Sequence, residues 1–296
     1  MSTAGEPEAD RARLRAVIAS LRRVLVAFSG GVDSTLVLTV AHEALGDDAL
    51  GVTAVSPSLA AAEREDARRL AGWIGARHRE IETYEHLDPR YLANAGDRCY
   101  YCKSELYERL GRLAEKEGFL AILDGTQLDD MNDIRPGLRA AQQYGVVHPL
   151  VGAALDKAAV RRLSRHLGIP AWDKPEMACL ASRLPRGTPV SIERLSRVER
   201  AESAVRALGF SQVRVRDYGE RARIEIAAAE MEPLADGELA ARMGREVCAA
   251  GFAEATIDPA GYRRGGALSP PLGKDNMGAS DGKAVGTPEE EEDGRR

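Results

Sequence analysis

Two short segments bring together side chains able to do covalent chemistry. In Asp97–Leu106, DRCYYCKSEL, Cys99 and Cys102 stand three positions apart in a chain with only four cysteines. That spacing suits a disulfide, part of a zinc site, a redox pair or ligands to an iron–sulfur cluster, and it does not choose among them. In Val26–Thr35, VAFSGGVDST, Gly30 and Gly31 lie between an apolar run and a helical pattern, flanked by Ser29, Asp33 and Ser34. Adjacent glycines let backbone N–H groups converge. With the Ser hydroxyls and a positive helix end they make a nest for phosphate. The segment has neither the spacing of a Walker loop nor that of a dinucleotide fingerprint.

These residues need a scaffold, and the chain alternates strand and helix patterns to build one. VLVAF (Val24–Phe28) reads as a buried strand and Ser34–Leu45 as a helix. GVTAV (Gly51–Val55), HREIET and FLAILDGT (Phe119–Thr126) read as strands, and helices are expected over Ala60–Ile74, from the cysteine pair to Glu117, and over Lys157–Leu167. Such alternation predicts a doubly wound parallel α/β sheet, whose ligands bind beyond the carboxyl ends of its strands. Ser29, Ser56 and Asp124 fall at such ends. After LPRGTP (Leu184–Pro189) the pattern changes to helix, two alternating strands, helix and strand, a smaller C-terminal α+β domain. The expected division is 1–20 as an extension, 21–184 and 190–264 as domains, and 265–296 as a tail too poor in large apolar residues to order itself.

Composition narrows the class. A net charge of −5 argues against broad coating of nucleic acid, and no apolar run reaches the roughly 18 residues that span a bilayer. The first residues carry no apolar signal region, so a cytoplasmic protein with reduced thiols is expected. A structural disulfide is then the weakest reading of Cys99 and Cys102.

The SGGVDS segment resembles the pyrophosphate-binding loop (PP-loop) of ATP pyrophosphatases, which activate a substrate oxygen as an adenylate. DGTQLDDMNDIRPG (Asp124–Gly137), KPEMACLASRLPRG (Lys174–Gly187) and GYRRG (Gly261–Gly265) are similar to the LarE family of ATP-dependent sulfur transferases. The resemblance covers about Leu21 to Gly265. It implies ATP with Mg²⁺ and a carboxylate substrate, pyridinium-3,5-biscarboxylic acid mononucleotide. Adenylation would make that carboxylate electrophilic, and sulfur would then convert it to a thiocarboxylate on the way to a nickel-pincer nucleotide. It also implies a homo-oligomer, and it leaves the source of sulfide open.

The same resemblance assigns candidate residues. Ser29, Gly30, Gly31, Asp33, Ser34, Asp124 and Arg183 would hold ATP, with Asp33 and Cys179 as the catalytic pair. Arg214 and Arg216, two apart on a strand, would face a substrate phosphate, and Glu202 matches an acidic position that contacts a divalent ion. In many members the Cys of ACLASR, here Cys179, stands alone and surrenders its own sulfur. Here Cys99 and Cys102 accompany it. Three cysteines resemble the ligand set of members with a 4Fe–4S cluster whose fourth iron can hold sulfide. Zinc, with Cys248 or His148 as fourth ligand, is the second reading and a sacrificial Cys179 the third. A tRNA thiolase with the same loop and cluster is the functional alternative. Asp129, Asp130, Asp133 and Arg135 match the family motif, and Lys174 would act on Cys179. Tyr100, Tyr101, Trp73 and Trp172 are read as packing residues and Cys248 as core.

Overall fold

In the computed structural model, residues 6–263 are described, apart from 133–135, 177 and 236. The tail expected over 265–296 lies outside them, as do Asp133 and Arg135. The chain runs α1 (Glu6–Ala19), β1 (Val24–Ala27), α2 (Val32–Leu45), β2 (Ala49–Val55), α3 (Ala61–Ile74), β3 (Arg77–Glu82), α4 (Pro89–Leu92), α5 (Arg98–Glu117) and β4 (Ala121–Leu123). It continues with α6 (Pro136–Gln143), α7 (Pro149–Gly152), α8 (Lys157–His166), α9 (Ile192–Ala207), β5 (Val213–Tyr218), β6 (Arg221–Ile226), α10 (Gly237–Ala249) and β7 (Glu254–Ile257).

Strands β1–β4 form one parallel sheet in the order β3-β2-β1-β4, as the alternating pattern predicts. Its central strand is apolar throughout because both faces are covered. Val24 and Val26 enter a core shared with α1, α2 and α8, while Leu25 points the other way into a core with Tyr107 and Leu110 of α5. All three valine and leucine side chains are fully buried. At about 1.5–3 kcal/mol for each such residue, β1 is a firm anchor for the loop at its end.

The strand expected over Phe119–Thr126 shortens to Ala121–Leu123; just beyond it the Asp124 N–H donates to Val147 O and its carboxylate receives Thr126 and His148. VVHPL contributes a single parallel bridge, Leu123 to Val147, before α7 begins at Pro149.

The second sheet has the order β5-β6-β7, antiparallel then parallel, and follows the expected α-β-β-α-β sequence. Its period of two is clean. Val213, Val215, Ala222, Ile224 and Ile226 pack with α9 and α10. Arg214, Arg216, Arg223 and Glu225 occupy the opposite face and are buried as well. Leu180, Ala181 and Leu184 join the apolar core of this sheet, together with Tyr91 of α4. The segment carrying Cys179 is therefore rooted in the second sheet and reaches toward the first.

Candidate active site

The turn from β1 to α2 is Phe28–Gly31. Gly30 has φ +70°, and a Cβ there would come within 3.1 Å of the Ala67 backbone on α3. Conformation and space both demand glycine. The Gly31 carbonyl accepts from Thr35 N at 2.9 Å and Thr35 Oγ1 at 2.8 Å, closing the first turn of α2. Gly31 N donates to Ser29 Oγ at 3.3 Å, and the Ser29 and Ser34 hydroxyls lie 3.1 Å apart. The loop thus gathers hydroxyls around a helix start whose first N–H groups lack intrahelical partners, an arrangement that binds anions.

The neighbouring strand end closes on this loop. A Cβ on Gly125 would come within 2.8 Å of the Ser34 nitrogen and 3.0 Å of Asp33 Cβ, so the turn after β4 meets the start of α2 backbone to backbone. Asp124, just before it, accepts from Thr126 N, Thr126 Oγ1 and Tyr107 OH, each at 3.0 Å, and pairs with His148 Nδ1 at 2.7 Å. Burial opposes its charge, but the His148 bond and the Lys103 charge hold the carboxyl below its usual range. In return, the bond to Asp124 raises His148 above the usual imidazole value. Asp33 shows the opposite balance. Burial pushes its carboxyl up, and Lys157 Nζ, at 2.7 and 2.9 Å from its two oxygens, opposes the rise only in part.

Two adjoining cavities meet at this loop. One, of 470 Å³, is bordered by Cys99, Cys102 and Cys179 together with Ser29 and Asp33. The other, of 400 Å³, lies between the ends of β1 and β4, where strand order reverses and open α/β sheets bind ligands. None of the cysteines is in a disulfide. Cys99 and Cys179 are exposed and Cys102 is half-buried. Burial first, and then the nearby charge of Glu85, push the Cys102 thiol up.

The Cys179 segment is held by arginines that bind its backbone carbonyls. Arg161 donates to Trp172 O and Lys174 O, and Arg214 to Glu176 O. Arg183 Nη1 donates to Ala178 O and Cys179 O, Arg98 to Ala181 O, and Arg216 to Ser182 O. A guanidinium presents several N–H groups in a rigid plane, which suits it to fixing irregular backbone.

These bonds engage several of the expected site residues. Arg183 spends its remaining donors on Glu202, and Arg216 spends its own on Glu225. Glu202, expected at a divalent ion, accepts from Arg183, Arg206 and the Val215 N–H. Arg214 and Arg216 do share a face, yet their guanidiniums turn onto the Cys179 segment and donate to its Glu176 and Ser182 carbonyls. Lys174 borders the larger cavity with its ammonium bound by Glu63 and Asp66 of α3. Asp129 accepts from the Lys157 N–H, and Asp130 borders both cavities. Tyr100 and Tyr101 stack edge to face 5.3 Å apart, Trp172 lies under Arg165, and Trp73 is left half exposed. Cys248 is half-buried beside the fully buried Met243 and Val247.

Sequence reasoning missed Lys103, Lys157 and Arg98. Lys103 follows Cys99 by four positions and so shares its helix face, a signal present in DRCYYCKSEL. For Lys157 no local signal exists, since its partner Asp33 lies 124 residues away.

Among the described residues, no three His, Cys, Asp or Glu side chains are grouped as ligands of one metal ion. A cluster asks for a wider set, because each thiolate binds a different iron. Three thiols bordering one cavity fit that demand by donor type and placement.

Fold and loop define an ATP-using α/β enzyme of the PP-loop kind, and the asparagine synthase family matches residues 11–95. A 66-residue stretch is 44% identical to an NH(3)-dependent NAD(+) synthetase of Methanosarcina mazei, covering 22% of this chain and 26% of that protein. Longer matches are more particular. An uncharacterised protein of Synechocystis sp. is 43% identical, over 87% of this chain and 96% of its own length. A pyridinium-3,5-bisthiocarboxylic acid mononucleotide synthase of Lactiplantibacillus plantarum is 37% identical, over 86% of this chain and 92% of its own length. The chain belongs to the LarE family, a family of ATP-dependent sulfur transferases. Among the described residues no helix is long and apolar enough to cross a membrane.

Proposed function

We propose that this protein adenylates a carboxylate of pyridinium-3,5-biscarboxylic acid mononucleotide and converts it to a thiocarboxylate, in the cytoplasm and as a homo-oligomer. The observation that carries the reading is the shared cavity, where the phosphate loop and three free thiols face one space. The 21–184 half supplies the loop, the thiols and Arg98, Arg161 and Arg183, and the 190–264 half adds Arg214 and Arg216 to the seat of the Cys179 segment. Loop amides with Ser29 and Ser34 receive the phosphates of ATP. Mg²⁺ brought with the nucleotide would offset charge on the departing pyrophosphate. Asp33, paired with Lys157, keeps the first turn of α2 in register with the phosphates.

Cys99, Cys102 and Cys179 would hold a 4Fe–4S cluster, which when bound supplies an iron open to an exogenous sulfide. The chain's own contribution is to present Cys179 to the cavity on backbone pinned by Arg183 and to keep Cys102 partly out of water. The test is iron, zinc and acid-labile sulfide per chain under exclusion of oxygen, in wild type and in Cys99→Ala. About four irons with matching sulfide, lost in the variant, support the cluster. Zinc without sulfide, or no metal together with Cys179 converted to dehydroalanine after one turnover, would replace it by the zinc or sacrificial reading. Purification with bound tRNA would move the substrate from a mononucleotide to RNA.

A further inference from the structure

Cys99, Lys103 and Tyr107 follow one another at intervals of four along α5, and so form one stripe on its inner face. The stripe ends at Asp124, which Tyr107 OH reaches at 3.0 Å. Lys103 Nζ lies 5.5 Å above the centre of the Tyr107 ring, and the lysine stem passes the Gly137 Cα, where a Cβ would come within 3.3 Å of Lys103 Cγ. The side chain is thereby steered along a defined path. Six residues border both cavities: Ser29, Gly31, Asp33, Cys99, Lys103 and Asp130. Lys103 is the only cation among the six. Its companions at that junction are two carboxylates, a thiol, a hydroxyl and a glycine.

We propose that Lys103 is a catalytic residue of the adenylation step, its ammonium bridging the substrate carboxylate in one cavity and the α-phosphate of ATP at the junction with the other. This inference rests on the reaction proposed above. A carboxylate oxygen attacks the α-phosphorus, forming the new O–P bond. The bond from that phosphorus to the bridging oxygen breaks, and pyrophosphate leaves with its electron pair. No proton is transferred, so the step needs a permanent cation rather than an acid or base. Two anions must approach each other past Asp33 and Asp130, and a fixed positive charge at the meeting point lowers that repulsion where charge density is greatest. Lys157 is committed to Asp33 and borders only the larger cavity, which leaves the junction to Lys103.

The experiment is ATP–pyrophosphate exchange dependent on pyridinium-3,5-biscarboxylic acid mononucleotide, measured with full-length wild type, Lys103→Met and Lys103→Arg. Lys103→Met should lower the exchange about 100-fold and raise the KM for the dicarboxylate. ATP affinity by calorimetry should stay within about threefold, since the loop amides hold the terminal phosphates. Lys103→Arg should recover at least about a tenth of the lost rate by keeping the charge. Exchange at the wild-type rate in Lys103→Met overturns the assignment while leaving the proposed reaction standing. A joint fall of ATP affinity and melting temperature, with no rescue by arginine, also overturns it, because that pattern belongs to a packing role. A wild type that performs no carboxylate-dependent exchange overturns the reaction and Lys103 with it.

Discussion

Arg183 and Glu202 meet through two N–H···O bonds, 2.7 Å from Nε and 2.9 Å from Nη2, with both side chains almost wholly out of water. The third face of the same guanidinium holds the Ala178 and Cys179 carbonyls. One ion pair therefore ties α9 to the segment that carries Cys179.

Breaking that pair should be costly. Glu202→Gln leaves a buried guanidinium without its counter-charge, and about 3–5 kcal/mol of stability should be lost. Arg183→Lys should cost nearly as much, because an ammonium cannot serve the carboxylate and two carbonyls at once. Chemical unfolding of both variants checks this, and wild-type midpoints would refute it.

His148 provides a pH-dependent contribution. Its folded pKa is raised by Asp124, so its stabilisation is fully present below the unfolded imidazole pKa and fades as pH rises through the folded one. Asp124 is shifted down, so the pair persists until pH falls through the folded carboxyl pKa. His148→Gln should accordingly cost more stability at pH 6 than at pH 9. Melting curves at the two pH values decide it; an equal loss at both would mean that the imidazole is never charged here.

Gly125→Ala should separate the turn after β4 from the start of α2. The added methyl meets the Ser34 backbone, which cannot yield without moving the phosphate loop. About 1–3 kcal/mol of stability should go, and ATP affinity should fall with it. An alanine variant that binds ATP normally would show that the loop has slack.

Lys157→Met removes the ammonium that opposes the burial cost of Asp33. The Asp33 carboxyl should then rise further, and the pH above which the enzyme works should move upward, with kcat/KM near neutrality reduced about 10–100-fold. A pH–rate profile is the measurement. Unchanged limbs would remove Asp33 from the ionisations that matter.

Much of this architecture was legible in the chain. Apolar runs at VLVAF and GVTAV imply strands buried on both faces, and Gly30 in SGGVDS implies a tight turn at positive φ, because strand burial and positive φ are local demands that residue types answer directly. The alternation of Val213 and Val215 with Arg214 and Arg216 was equally readable, so the two arginines had to share a face.

Where that face points is a different matter. Arg216 turns toward Ser182 and Glu225, Arg183 toward Glu202, and Lys157 toward Asp33, because folding brings buried carbonyls and carboxylates opposite them and a buried polar group must find a partner. The sequence by itself determined the strands, the loop and the three thiols. Only the tertiary structure decided which cations serve the scaffold and which stand at the meeting of the two cavities, since such pairings depend on proximity between residues distant along the chain.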